Sequence, residues 1–307
     1  MQALWRTLIL CGAALGLVLW GLPLLHPYVR RPNDFFQVMD RKLADQAHVA
    51  SPRVLLVGGS NLVFGLSSAE LERCLGRPVY NLAFSAELGI PFMARVAEAC
   101  ARPGDVVLFS PEYGVGTGSC RAFAMLSLES PRSAKLLNLS LNDRIRVAVF
   151  KAQITGGMMV EKWLLRQVPA SDVYRADGYD RFGDLVSHAN KGPQDFALHP
   201  PAEPDPPACK QAVAQLVAVA RQQGFKVLHL PPAYSESGYR QDSTAALARF
   251  AWVQAAGMQA VCRPEAMIFA DSFFYDTPYH TLRSGARLRA RRVARMLLPA
   301  LGKPCHD

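Results

Sequence analysis

Three short apolar runs constrain the fold more than any other feature of the chain. They are "RVLLVGG" (53–59), "VYNLAF" (79–84) and "DVVLFSP" (105–111). Each is nearly continuous rather than alternating, the pattern of strands buried on both faces. Between them lie segments with helical spacing. "SSAELERCLG" (67–76) opens with Ser67 three residues before Glu70, a capping-box pattern, and stops at Gly76. "IPFMARVAEACA" (90–101) repeats apolar residues at helical intervals. Strands of this kind separated by helices predict an α/β fold around a mostly parallel sheet.

The alternation stops at Glu112. Residues 112–207 read as an insertion that holds a helix, "NDRIRVAVFKAQITGGMMVEKWLL", and an irregular tract, "YRADGYDRFGDLVSH". It ends in the Pro-rich "HPPAEPDPP". Within it, "DGYDRFGDLVSH" mixes aromatic, charged and glycine residues. Tyr179 and Arg181 are expected to meet sugar faces near the Ser60 edge, with a packing loop as the alternative. After the insertion the alternation resumes: helix "CKQAVAQLVAVARQQ", strand "FKVLHLPP", helix "STAALARFAWVQAAG", strand "AMIFAD" and the helix "RSGARLRARRVAR". The 307 residues, half of them apolar, suffice for such a core. The formal charge of +9 does not form a nucleic-acid-like stripe, and many of the arginines cluster in that last helix. Such a helix reads as a solvated face, or as a contact for anionic head groups or an anionic polymer.

"TLILCGAALGLVLWGLPLL" (7–25) carries no charge and nearly reaches the ~20 residues that cross a bilayer. Trp5, Trp20 and Tyr28 lie toward its ends, as interfacial aromatics do. "PLLHPYVRR" offers no small-x-small cleavage site, and Leu10 is too bulky for a lipoprotein box at Cys11. Residues 1–31 are therefore expected to be an uncleaved single-pass anchor in the cytoplasmic membrane, and 32–307 the body. Arg30 and Arg31 after the segment outnumber Arg6 before it, which favours a cytoplasmic body. Six further cysteines, Cys74, Cys100, Cys120, Cys209, Cys262 and Cys305, suit an oxidising compartment, with Cys262–Cys305 the first pairing to expect. The body is placed on the periplasmic or extracellular side. No metal-type CxxC pair occurs, and neither metal nor cofactor is expected.

Ligand sites in parallel sheets form beyond the carboxyl ends of the strands. Ser60 follows the first strand there. "DSFFYDTPYHTL" follows the last apolar run and brings Asp271, Asp276 and His280 toward the same edge. A hydroxyl needs an imidazole to take its proton, and the imidazole needs a carboxylate to fix its tautomer. Gly58 and Gly59 permit a tight backbone that leaves the Ser60 amide for an oxyanion. His188 and His229 read as structural.

The blocks "LLVGGSNLVFGLSSAELERCLGRPVYNLAF", "GDVVLFSPEY" and "YDTPYHTLRSGARLR" resemble the SGNH/GDSL hydrolase superfamily. The membrane-anchored branches typified by alginate O-acetylation proteins and the teichoic-acid D-alanylation protein are the most similar. The resemblance covers the sheet-forming parts and hardly touches the insertion. It implies a three-layer α/β/α sandwich with Ser60 as nucleophile, His280 as base and Asp276 as its partner. The spacing Asp276-x-x-x-His280 is one residue longer than the family's, which leaves Asp271 as an alternative. Asn61, Ala83, Ser85, Glu112 and Tyr113 are the candidates for oxyanion and substrate contacts. The family's Gly-x-Asn after the third strand is replaced by "SPEY", and an ionised Glu112 would repel an oxyanion. The resemblance implies acyl transfer or removal, of O-acetyl groups above all, on a cell-envelope glycan. It further implies a multi-spanning membrane O-acyltransferase as partner. The alternative is a catalytically degenerate domain that binds glycan or scaffolds an acylation complex.

Overall fold

The computed structural model describes residues 2–168, 170–198 and 200–301. The chain divides into two compact units, residues 1–40 with 119–176, and residues 41–118 with 177–307. The tract 112–207 is thus shared between them: residues 119–176 fold with the N-terminal segment, and residues 112–118 and 177–207 with the sheet.

In the first unit, α1 (Gln2–Gly16) runs on through short turns into α2 (His26–Val29). Leu4–Val29 is one helical segment of 26 residues that contains an 18-residue window of mean hydropathy 2.3, long and apolar enough to cross a membrane. Many of its apolar side chains are bare: Trp5, Ile9, Leu10, Leu17, Trp20 and Leu24 are each more than half exposed. Such a contiguous apolar surface is not stable in water. The unit also holds α7 (Cys120–Glu129) and α8 (Leu141–Met159). Ser119 and Ser140 cap these two helices through their side-chain oxygens. Arg31 forks onto Glu161 at 2.6–3.0 Å, and Lys162 Nζ donates to the Tyr28 carbonyl at 2.8 Å. The buried His26 lies 3.0 Å from the equally buried Glu129.

α3 (Val38–Asp45) leads into the second unit. There a parallel five-stranded sheet has the order β2-β1-β3-β4-β6. The strands are β1 (Val54–Gly58), β2 (Val79–Asn81), β3 (Val106–Ser110), β4 (Lys226–His229) and β6 (Gln259–Ala260). Every residue of β1 and β3 is buried, as their unbroken apolar runs require. The helices are α4 (Ser60–Val63), α5 (Ser68–Leu75), α6 (Gly89–Cys100), α9 (Pro207–Gln223), α10 (Glu236–Ala255) and α11 (Arg283–Leu297). α5 starts where the capping box placed it: Ser67 Oγ accepts the Glu70 amide, and Gly76 closes the helix at φ 58°. α6 packs with α9, and α5 with α11. At the start of the sheet Arg53 and Asp105, both fully buried, pair at 3.1 Å.

Two expectations are corrected here. The run "AMIFAD" does not join the main sheet: β7 (Ile268–Phe269) pairs with β5 (Tyr234–Ser235) in a separate two-stranded ladder. The edge position is held by β6, whose two residues form no apolar run that a sequence reading would find. Among the described residues the thiols of Cys11, Cys74, Cys100, Cys120, Cys209 and Cys262 form no disulfide with one another. Burial pushes those of Cys100, Cys209 and Cys262 up to about 11. The expected Cys262–Cys305 pair lies outside the described residues.

The tract 177–188 packs as part of the fold rather than as an exposed sugar platform. Phe182 accepts the Asn81 amide at 2.8 Å, and Leu185 donates to Val63 at 3.0 Å. Asp184 accepts the Ser68 amide and hydroxyl at 2.7 and 2.6 Å. Tyr179 is buried, with the Lys42 ammonium 4.8 Å over its ring. Lys42 in turn donates to the Ala83 and Gly183 carbonyls at 2.5 and 2.9 Å. Burial lowers that ammonium to about 7. Arg181 is exposed. Tyr179→Leu should therefore cost about 1–2 kcal/mol by loss of its ring contacts. Arg181→Ala should leave the melting temperature within about a degree of wild type. Equal losses in thermal melts would assign the tract another role.

Candidate active site

The site grows out of strand register. Gly58, at the end of β1, sits opposite Ser110, at the end of β3. Two residues further along each chain come Ser60 and Glu112, which therefore emerge side by side. The two glycines have separate reasons. A Cβ at Gly58 would overlap the Ser110 carbonyl, and a Cβ at Gly59 would overlap the Glu112 carboxyl group. The doublet lets β1 press on β3 and on the carboxyl that follows it.

Ser60 opens α4, so its amide has no acceptor within the helix. Its hydroxyl donates to Glu112 Oε1 at 2.8 Å, and the Asn61 amide reaches the same oxygen at 2.5 Å. Ser60 is half-buried, whereas Glu112 is buried, and burial raises its carboxyl above the ordinary carboxylate range. The Ser60 hydroxyl is thus turned toward Glu112, a partner that the sequence reading did not assign to it.

The histidine arrives on a tight turn between β7 and α11. Phe274 and Thr281 form an antiparallel bridge, the Tyr275 amide donates to the His280 carbonyl at 2.7 Å, and the Thr277 hydroxyl caps the His280 amide at 3.1 Å. This turn brings Asp276 Oδ1 2.7 Å from His280 Nδ1 despite the extra residue in their spacing. Asp271 is exposed and instead accepts the Ser237 amide at 3.1 Å. The imidazole stacks on Phe64, with centroids 4.0 Å apart and planes 9° apart. Phe64 belongs to the turn that begins at Ser60, since its amide donates to the Ser60 carbonyl at 2.9 Å. His188 lies on Phe64 as well, 4.9 Å away, and its Nε2 is 3.1 Å from the Thr281 carbonyl. The last residue of the tract 177–188 therefore helps to hold the histidine turn. His229 is buried in β4 and held neutral, its pKa pushed down to about 3 by burial.

The other candidates take varied places. Ala83 is buried and its amide is committed to Asn81 Oδ1 at 3.0 Å. Ser85 caps a short turn by accepting the Glu87 amide at 3.3 Å. Asn61 points inward, donating to the Ser110 carbonyl at 2.8 Å and accepting from the Ser110 hydroxyl at 3.1 Å. Tyr113 packs edge-on against Tyr234, 5.5 Å away. It also borders a cleft of about 260 Å³ lined by Ala202, Asp205, Asp242, Arg249 and Trp252.

Three supports went unread in the sequence. Phe64 carries the imidazole. Arg249, buried on α10 and paired with Asp205, donates to the Pro111 and Glu112 carbonyls and so fixes the segment that bears Glu112. Arg289, fully buried on α11, donates to the carbonyls of Asn61 (2.9 Å), Gly65 (3.2 Å) and Pro231 (3.3 Å) and to Asn61 Oδ1 (3.1 Å). It clamps the Ser60 turn from below. A signal for Arg289 exists in the sequence: it shares the helical stripe of Gly285, Ala286, Ala290, Val293, Ala294 and Leu297.

Among the described residues no cluster of His, Cys, Asp or Glu has the makings of a metal site. Ser60, with its orphan amide, lies beside a buried carboxyl group, and a carboxylate-oriented imidazole stacks on Phe64 at the end of the same turn. That set suits proton-assisted attack by Ser60 on an acyl carbon. No family model matches the chain, and no curated protein matches it at a significant level.

Proposed function

We propose that the chain is a membrane-anchored, extracytoplasmic SGNH-like acyltransferase or esterase. It would act on acyl groups, O-acetyl above all, of a cell-envelope polysaccharide. The observation that carries this reading is the stack of the Asp276-bound His280 ring on Phe64, one helical turn from Ser60. In this reading the sheet unit is a three-layer α/β/α sandwich, with α6 and α9 packed together as one layer and α5 and α11 as the other.

Asp276 holds Nδ1, so Nε2 of His280 is the nitrogen that takes the Ser60 proton. The hydroxyl first leaves Glu112 by rotating about its Cα–Cβ bond. Oγ then bonds to the acyl carbon, the carbonyl electrons move onto oxygen, and the Ser60 amide donates to that oxyanion. Collapse expels the donor's alcohol, which takes the proton from His280. Water or a sugar hydroxyl, deprotonated by His280, then takes the acyl group from Ser60, and His280 returns that proton to Ser60 Oγ. The Leu4–Val29 helix would hold this chemistry at the outer face of the cytoplasmic membrane, where a multi-spanning acyltransferase would be the partner.

The Ser60–Glu112 hydrogen bond favours a second reading, a degenerate domain that binds glycan or scaffolds an acylation complex. A serine-reactive phosphonate separates the two. Wild type should be labelled at Ser60, and Ser60→Ala should not be labelled at all. A wild-type protein that stays unlabelled while fully folded would leave only the scaffold.

A further inference from the structure

We infer that Glu112 works as an undissociated acid whose side chain donates a hydrogen bond to the oxyanion formed beside Ser60. The inference rests on the reading of Ser60 as nucleophile and adds a catalytic residue to it.

The geometry of the carboxyl group is lopsided. Oε1 accepts twice, from the Ser60 hydroxyl at 2.8 Å and from the Asn61 amide at 2.5 Å. Oε2 is buried and has no hydrogen-bond partner among the described residues. A carboxylate spreads its charge over both oxygens and calls for donors on each. A carboxylic acid has one accepting oxygen and one O–H, which is the pattern found here. Gly59, lacking a Cβ, lets Oε2 lie against the backbone immediately before the nucleophile.

The surroundings favour the neutral form. Glu112 forms no ion pair among the described residues, and burial of an unpaired carboxylate is costly enough that the group takes up a proton instead. The groups that face it come from three elements. On the turn after β7 are Tyr279, a buried phenol, and His280, whose positive form would favour ionisation, with Asp276 behind it. On α11 is Arg289, which attracts the carboxyl electrostatically; its two terminal nitrogens donate to Asn61, Gly65, Ser110 and Pro231, and its Nε has no hydrogen-bond partner among the described residues. On α10 is Arg249, which holds the Glu112 carbonyl rather than its side chain. Loss of solvent on burial outweighs these attractions, and the carboxyl sits above its ordinary range.

A buried O–H with no acceptor is an unspent donor. The tetrahedral oxyanion supplies the acceptor, and the proton stays on Glu112 throughout. The Ser60 proton travels separately, to His280 and on to the leaving alcohol. A carboxylic acid kept neutral by an apolar site donates to an oxyanion in this way elsewhere. Ionised, the same group would repel the oxyanion and hold the Ser60 hydroxyl in a stronger, charge-assisted bond. The acid therefore takes the place of the amide donor that the sequence lacks after its third strand.

The test is the rate of phosphonate labelling against pH, with the full-length protein in detergent. Wild type should lose labelling rate toward high pH as Glu112 ionises. Glu112→Gln keeps a donor that does not titrate. It should label more slowly than wild type near neutrality but without the descending limb. Glu112→Ala should lose ~10²–10³-fold, the scale of one missing oxyanion donor. A wild-type rate that only climbs with pH overturns the inference without need of any variant. An equal descending limb in Glu112→Gln overturns it too, while Ser60 remains the nucleophile. Absence of Ser60 labelling at every pH removes the nucleophile itself, and the role of Glu112 with it. A second readout does not depend on activity. The folded state holds the Glu112 proton more tightly than the unfolded chain does, so this stabilisation is complete below the unfolded value of about 4.5 and is lost as pH rises through the folded one. Wild type should accordingly lose melting temperature relative to Glu112→Gln over that window. A pH-independent difference would mean that the carboxyl is ionised throughout.

Discussion

Asp276→Asn should slow Ser60-dependent acyl transfer by about 10⁴-fold. The carboxylate holds His280 Nδ1 at 2.7 Å and so selects the tautomer whose Nε2 can accept a proton. An amide in its place can present N–H to Nδ1, and the proton then belongs on Nε2, which becomes useless as a base. Little stability is at stake, because the Asp276 side chain is partly exposed and the turn is also held by Thr277. Turnover of an acylated substrate, measured beside a thermal melt, checks this. A loss below tenfold at an unchanged melting temperature would remove Asp276 from the chemistry.

The second large effect concerns the opposite end of the sheet. Arg53 and Asp105 are fully buried, and the guanidinium also reaches the Cys100 carbonyl at 3.0 Å and Gln46 Oε1 at 2.7 Å. Arg53→Ala leaves the carboxylate without its partner and several acceptors without donors, which should cost about 3–5 kcal/mol. That is a large share of the ~5–15 kcal/mol that holds a typical domain together. Replacing both partners, as Arg53→Met with Asp105→Leu, should recover much of the loss, since an apolar pair needs no desolvation of charge. Denaturant midpoints read both values. A double variant no more stable than Arg53→Ala would show that the pair itself, not the orphaned charge, carries the energy.

The parts of the structure that the sequence made legible are those with short-range causes. β1 and β3 announce themselves because full burial demands unbroken apolar runs. α5 is bounded by Ser67 and Gly76, both chemically suited to its ends. The proximity of Asp276 and His280 follows from four residues of separation and a turn-forming "DTPYH". What escaped depends on pairings between distant segments. The meeting of Ser60 with Glu112 rests on the alignment of Gly58 with Ser110, a property of two strands together. β6 escaped because two residues at a sheet edge bury too little to leave a pattern. The tract 177–188 looked like surface because of its charges, but Asp184 is spent on capping α5. Arg289 was hidden by its neighbours: five other arginines in the same thirteen residues make it look like one more solvated charge.

That arginine also sets a timetable. It holds the Asn61 carbonyl from 228 positions further along the chain. A ribosome adding ~5–20 residues per second needs roughly 10–45 s to cover that interval. Throughout it, the turn that carries Ser60 exists without its clamp, and His280 has only just been made when the clamp arrives. The strands can pair early, but the Ser60 turn is complete only once α11 docks against Asn61.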